Sequence, residues 1–383
     1  MQLRGDRHLG YCTNIHPAET WEDTFRQLQT HIPVIKQRVA PDERFGIGLR
    51  LSAQAAQQLD ATAMQAFRRW LDGADCYVFT INGFPYGDFH GTRVKENVYR
   101  PDWTTPERLD YTNRLFDILA ELLPADILEG SVSTLPGSFK RFDLTPEAIR
   151  ALRRNVTNCG RHIADLVDRT GKDLHLGLEP EPLGLFETTP ETVDFFDALV
   201  DSHGDWLRPF VGVNYDTCHL AVEYEEPAMA LDRLSRAGIR LSKLHLSSAL
   251  KLDPRNDAWQ ALTPFADETY LHQVIVKQGT ELRRIIDLPE ALAAAQRGDE
   301  LGEEWRVHFH IPLSDEPAVP LQSTRDHLEG ALDWLARHPA ACHHLEMETY
   351  TWDVLPADLH RSNVDEQLIA EYQWTLAALS RAN

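Results

Sequence analysis

Five short stretches of this chain concentrate side chains that hold metal ions or move protons. Glu179 and Glu181 flank Pro180, and Asp216 precedes His219 by three residues. His245 stands between two leucines, His308 and His310 flank Phe309, and Glu346 and Glu348 flank Met347. Carboxylate oxygens and imidazole nitrogens together form a mixed donor set that suits Zn, Mn, Co or Mg. Such a cation polarises substrate oxygens, and a carboxylate beside it can exchange a proton. Taken singly, each residue has a plainer reading. A lone glutamate at a strand end is usually a salt-bridge partner, and a lone strand histidine is usually a hydrogen-bonded core residue. The chemistry therefore depends on whether the fold brings these stretches together.

The elements that must do so alternate along the chain. Short apolar, strand-like runs lie at 8–15, 45–51, 75–81, 125–133, 174–179, 210–216, 241–246, 307–311 and 343–348. Amphipathic stretches separate them; in 105–123, for example, Leu109, Phe116, Leu119 and Leu123 share one face. Thr-Pro-Glu occurs at Thr105, Thr145 and Thr189, where Thr can cap a helix, Pro suits its first turn and Glu suits its dipole. Repeated strand–helix alternation implies parallel strands with right-handed crossovers, hence an α/β fold. Its expected form is a closed (β/α)8 barrel, a TIM barrel, occupying residues 1–383 as one domain. An open doubly wound sheet is the competing arrangement. Nine strand candidates exceed eight, and the surplus falls in an insertion at about 251–313, after the seventh strand. It should hold a β-hairpin over 270–286 turning at Gly279, a helix from Asp287, and the run 307–311 outside the barrel wall.

In such a barrel, function gathers where the strands end. Glu179 ends the fifth strand, Asp216 the sixth, His245 lies in the seventh, and Glu346 and Glu348 end the last. Glu346 and Glu348 share one strand face, so either can be the fourth ligand. Strand alternation likewise puts His308 and His310 on one side, where with His219 they can make a second, nitrogen-rich site.

Composition narrows the partners. The chain carries 38 Lys and Arg against 59 Asp and Glu, a formal charge of −21. Such a surface repels polyphosphates and anionic lipids, and no Lys/Arg run offsets it, so no nucleic-acid partner is expected. Cys12, Cys76, Cys159, Cys218 and Cys342 are odd in number and scattered, with no CxxC pair. That argues against disulfides and thiolate zinc, and for a reducing, cytoplasmic location. No apolar stretch approaches the ~18 residues of a membrane span.

The order Asp216-Thr217-Cys218-His219, then Lys243-Leu244-His245-Leu246, then Glu348-Thr349 resembles the xylose-isomerase-like TIM barrels. That superfamily includes sugar isomerases, sugar-acid and ketose epimerases, and the endonuclease IV family. A closer likeness is to the EboE metabolite-traffic proteins of bacterial gene clusters. It rests on the run from Gly10 to Pro17 (Gly-Tyr-Cys-Thr-Asn-Ile-His-Pro), Tyr270-Leu271-His272-Gln273-Val274, His308-Phe309-His310-Ile311-Pro312, and the run from Glu346 to Trp352. The resemblance implies a metal site of Glu179, Asp216, His245 and Glu348, with Glu346 behind it or touching substrate. It implies a further site of His219, His308 and His310, like that of the endonuclease branch. The third endonuclease site is missing, since Asn82 and Leu135-Pro136-Gly137-Ser138 stand at its positions.

The resemblance thus favours a metal-dependent isomerase or epimerase acting on a sugar, polyol or related small metabolite. Glu179 and Glu348 would exchange a carbon-bound proton, and His219 would orient a substrate oxygen. One divalent metal (Zn, Mn or Co) is expected, with room for a second. The alternatives are metal-assisted hydrolysis of a phosphoester by two cations, and non-catalytic handling of a pathway intermediate. Trp21, Tyr86, Trp103, Trp259 and Trp352, near expected loops, would suit an aromatic or prenylated ligand.

Overall fold

Strands of a barrel are covered on both faces, and the staves of this protein are buried almost throughout. The computed structural model describes residues 1–382. The first seven staves are β1 (His8–Tyr11), β2 (Phe45–Arg50), β3 (Cys76–Asn82), β4 (Glu129–Thr134), β5 (Asp173–Leu178), β6 (Val211–Asp216) and β7 (Leu241–Leu246). Between them run α1 (Trp21–Val39), α2 (Ala53–Gln58), α3 (Ala61–Gly73), α4 (Pro106–Leu122), α5 (Pro146–Thr170), α6 (Thr189–His203), α7 (Thr217–Val222) and α8 (Pro227–Arg236).

An excursion follows β7. It forms β8 (Leu250–Leu252), β9 (Val274–Gln278), β10 (Glu281–Ile285), α9 (Leu288–Gln296), β11 (Glu304–Val307) and β12 (Gln322–Ser323). The chain then returns through α10 (Arg325–Arg337), the last stave β13 (His344–Met347) and α11 (Val364–Ala382).

The eight staves pair in the order β2-β3-β4-β5-β6-β7-β13-β1, all in parallel. A single parallel bridge between Cys12 and Gly48 joins the two ends, so the barrel is nearly closed and no open sheet forms. The excursion is a separate antiparallel sheet, ordered β10-β9-β11-β8-β12, with its own core around Trp305, Leu250 and Val276. The hairpin turns at Gly279, whose φ of +57° suits glycine, and Asp287 caps α9.

Several local expectations need correction. The strand expected at 307–311 is instead β11, which ends at Val307, so His308–Ile311 is not strand. The short β8 and β12 escaped notice because three and two residues carry no readable alternation. Of the three Thr-Pro-Glu sites, only Thr145 caps as expected, accepting from Ala148 N. Thr105 makes no side-chain cap bond. Thr188 rather than Thr189 caps α6, in a capping box with Glu191, and the Thr189 hydroxyl instead meets Glu225 at 2.6 Å. No helix among the described residues is long and apolar enough to cross a membrane.

Candidate metal centre

Glu179, Asp216, His245 and Glu348 come from four different staves or the turns just beyond them, and the barrel mouth is their common space. One ligand atom from each lies within 4.8 Å of the others. His245 Nδ1 is the hub, at 2.9 Å from Glu348 Oε2, 3.1 Å from Glu179 Oε1 and 3.6 Å from Asp216 Oδ2. Atoms bound to a common ion at about 2.1 Å lie roughly 3.0–3.4 Å apart, so this spacing fits shared coordination. The lone proton on Nδ1 can satisfy one of three carboxylates. Glu179 Oε2 and Asp216 Oδ2 are buried with no hydrogen-bond partner. Without a cation, unpaired buried charges of one sign would repel and disperse. The donor set and its orphaned oxygens therefore fit a divalent ion.

The surroundings hold these groups in place. Asp216 ends β6 and caps α7, so its Oδ1 accepts from Cys218 N at 2.7 Å, His219 N at 3.0 Å and Ser247 Oγ at 2.6 Å. That leaves Oδ2 for the centre. Glu348 Oε1 accepts from the amides of Asn14 (2.9 Å) and Asn82 (2.8 Å), leaving Oε2 to face His245. Behind the hub, His245 Nε2 donates to Glu346 Oε2 at 2.8 Å, and Lys243 Nζ donates to the same oxygen at 2.6 Å. A carboxylate on the far nitrogen fixes the ring and strengthens it as a ligand. Room for Glu346 exists because residue 48 is glycine: a Cβ there would fall 1.8 Å from Glu346 Oε1.

The charges follow from these contacts. Burial pushes the Glu179 carboxyl up to about 7, against the pull of His245. Burial also opposes ionisation of Asp216, but His219, His310 and His245 hold it well below its usual range. Burial disfavours a charged His245, yet Glu348 and Glu179 raise its pKa well above normal, so a bound cation would displace a proton there.

A second convergence lies beside the first. His308 Nε2 and His310 Nε2 are 3.2 Å apart, and His310 Nε2 is 3.4 Å from His219 Nε2. The other nitrogens are committed: His308 Nδ1 to Gln273 Oε1 at 2.7 Å, and His310 Nδ1 to the Glu348 carbonyl at 2.8 Å. Both acceptors are oxygens, so Nδ1 is the donor in each ring and Nε2 is the nitrogen left for a ligand. Burial keeps His308 far below its usual pKa. Two imidazole nitrogens facing each other at 3.2 Å are placed as ligands of a shared cation would be. Asp216 belongs to this convergence as well as to the first, and Glu181 reaches it through His219 and His308.

Above both clusters is a cavity of about 550 Å³ counting its open mouth. Glu179, Glu348, His219 and His308 reach it, while Asp216 and His245 lie behind. The loop after β3 roofs it, tied to the excursion by Val94 N and Lys95 N on the Thr269 carbonyl (2.8 and 2.9 Å) and by Lys95 Nζ on Asp287 (2.7 Å). Glu181, which also lines it, is pushed well above its usual pKa by burial and by neighbouring Glu179.

A family model described as the xylose isomerase-like TIM barrel matches residues 45–271, more than half of the 383. The chain belongs to this family. Among solved structures, a xylose isomerase domain protein from Planctomyces limnophilus aligns with a TM-score of 0.52 and 13% identity, covering 98% of this chain and 97% of that one. An L-ribulose 3-epimerase aligns with a TM-score of 0.51 and 11% identity, covering 98% and 95%. The IolI protein, whose crystal structure holds a zinc atom, aligns at 0.52 and 8%, covering 98% and 99%. At these identities the likeness speaks of the fold. No curated protein matches the sequence.

Within this xylose isomerase-like frame, all seven residues singled out in the sequence gather at one mouth. Glu346 is set apart from them, on the far nitrogen of His245. The aromatic expectation needs correcting: Trp21, Tyr86, Trp103, Trp259 and Trp352 do not line the cavity, whereas Phe84, Phe89, Tyr99, Tyr270 and Tyr350 do. Asn14, Lys243 and Gln273 were quoted in motifs without a role. The signal for each was a polar side chain at a strand end or inside an apolar strand, where a partner is obligatory.

Proposed function

We propose that this protein is a divalent-metal-dependent isomerase or epimerase acting on a sugar, polyol or related small metabolite. One observation carries the reading. Of the four convergent side chains, Glu179 and Glu348 also line the cavity, while Asp216 and His245 lie behind. Two carboxylates thus face both the ion position and the substrate space, as a proton-exchanging pair must. Glu179, Asp216, His245 and Glu348 would hold the cation, which would supply Lewis-acid polarisation of adjacent carbonyl and hydroxyl oxygens. Glu179 and Glu348 would take and return the carbon-bound proton, the Asn14 and Asn82 amides would hold Glu348 in line, and His219 would orient a substrate oxygen. The roof over the cavity would exclude water from the exchanging proton.

The finer likeness to the EboE metabolite-traffic proteins draws support from its motifs meeting here. Asn14, Tyr270, Gln273, His308 and Glu348 come from four of them and line one cavity. Duplex DNA is not the proposed substrate, given the charge of −21.

The test is solvent-deuterium exchange at the carbon beside the carbonyl, followed by NMR over a panel of ketoses and cyclic hydroxyketones. Glu179→Gln and Glu348→Gln should each slow exchange by about 10²–10⁴-fold. Exchange that survives both substitutions unchanged would remove the assignment. A second reading, two-cation hydrolysis, is favoured by Asp216 belonging to both convergences. Two metals per chain together with hydrolysis of 4-nitrophenyl phosphate would put it first.

A further inference from the structure

The residues that line the cavity differ in what they offer a ligand. Its floor carries Glu179, Glu181, Glu348, His219 and His308. Six further lining residues, Phe84, Pro85, Phe89, Val94, Val98 and Leu271, carry no hydrogen-bonding side-chain group, and the first five of them come from the roof loop. Phe89, Tyr270 and Tyr350 form a mutual aromatic cluster, with ring centres 5.1–5.2 Å apart. These rings do not serve the barrel core. Phe89, Val94 and Tyr270 form a small cluster of their own, built from the roof loop and the excursion.

Hydroxyls placed against those six residues would leave water without replacement partners, so a ligand hydroxylated along its whole length fits poorly there. Phosphate fits no better. Lys95 is the single lysine or arginine among the lining residues, and its ammonium is held by Asp287 Oδ2 at 2.7 Å and the Asp267 carbonyl at 2.9 Å.

We propose that the occupant is an unphosphorylated molecule with two chelating oxygens at one end and a ring-sized apolar body at the other. The proposal rests on the metal-dependent reading above and specifies its substrate class. The oxygens would meet the ion position between Glu179 and Glu348. The body would lie against Phe89, Tyr270 and Leu271, where apolar area and ring stacking favour it.

The experiment uses three hydroxamates, all bidentate oxygen chelators, titrated calorimetrically into full-length protein whose metal content has been measured. Benzohydroxamate carries a ring, acetohydroxamate a methyl, and phosphoglycolohydroxamate a phosphate. Benzohydroxamate should bind at least about 10-fold more tightly than acetohydroxamate, and phosphoglycolohydroxamate the most weakly. Phe89→Ala should erase most of the ring preference while leaving acetohydroxamate within about twofold. The wild-type comparison stands alone should that variant fold poorly. Equal binding of the first two, tightest binding of the phosphate compound, or no binding of any by metal-loaded protein would overturn the proposal. Protein that takes up no metal at all would instead sink the reading of the site itself.

Discussion

The barrel interior holds a cluster of histidine and carboxylate at each end, and the two are balanced in opposite ways. At the N-terminal ends of the staves, one carboxylate serves several donors. Glu129 receives His175 Nε2 at 3.0 Å, His343 Nδ1 at 2.6 Å and Arg240 Nη2 at 3.0 Å. Nearby, His344 Nδ1 meets Ser131 Oγ at 2.7 Å and His8 Nδ1 meets Tyr77 Oη at 2.8 Å. The buried atoms left over there are ring nitrogens of His175 and His344. At the other end, three carboxylates face one imidazole nitrogen, and carboxylate oxygens are what remain unpaired. Residue types are alike, but the ratio of donors to acceptors differs. Several donors gathered on one carboxylate make a structural network, whereas a surplus of inward-facing carboxylate oxygens asks for a cation.

Removing a group from each end gives the largest contrast. Asp216→Ala or His245→Ala should lower metal affinity by more than ~100-fold, beyond what loss of an outer partner costs. Elemental analysis after dialysis measures it. Glu129→Gln should leave metal content unchanged and instead lower stability by about 2–3 kcal/mol, read by denaturant unfolding. Metal retained in both upper variants, or lost in the lower one, would erase the distinction.

Glu346 sharpens it, since it touches both a ligand and a lysine. Glu346→Gln keeps the shape beside Gly48 but weakens the hold on His245 Nε2. Metal affinity should fall by about 10–100-fold. Stability should fall too, because Lys243 keeps a buried charge without its 2.6 Å partner. An unchanged affinity would show that Glu346 serves Lys243 alone.

This division was only partly legible in the sequence. The upper end was readable because each member follows a recognisable strand: Glu179, Asp216, His245 and Glu348 had only one place to meet. One strand reads LSKLHL, and its Lys243 and His245 point inward where an apolar pattern predicts core. The lower end was silent for the opposite reason. Glu129 opens β4 and His343 just precedes β13, where polar residues are ordinary, and nothing in their spacing from His175 inside β5 marks a network. The trio at His308 and His310 was found on the wrong geometry. Strand alternation put both rings on one side, whereas the strand ends at Val307 and bonds to Gln273 and Glu348 orient them. The cavity wall was misread because tryptophans near expected loops turned out to lie elsewhere, while Phe89 and Tyr350 carried no pattern.

Acid should test the lower end next. Burial lowers His8 to about 4, and lowers His175 and His344 as well. In the unfolded chain each titrates near 6.5. Between about 6.5 and 4 the unfolded state therefore binds more protons, and stability falls as pH falls through that window. Each neutral histidine contributes up to about 1.4 kcal/mol per pH unit. Glu129, whose bonds from His175 and His343 outweigh burial and depress its pKa, adds its loss only below its unfolded value of ~4.3. His8→Phe should flatten the slope between pH 6.5 and 4 by about one proton, as read from unfolding free energies across pH. An unchanged slope would remove His8 from the acid response.

His343 should give the smallest effect and the opposite sign. Its hydrogen bond to Glu129 raises its pKa, against burial, and its side chain is 31% exposed. A raised pKa means that the folded state holds the proton more tightly. The resulting stability is fully present below ~6.5 and is lost as pH rises through the folded value. Solvent screens a pair this exposed, so His343→Gln should cost only about 0.5–1 kcal/mol at pH 6. The gap to wild type should narrow by pH 9, where His343 is neutral and only a hydrogen bond remains to lose. Metal content should not change, because the upper cluster shares no atom with this pair. A loss that grows from pH 6 to pH 9 would mean that His343 acts through packing rather than charge. A loss of metal would mean that the two ends of the barrel are coupled, and the contrast between them would no longer hold.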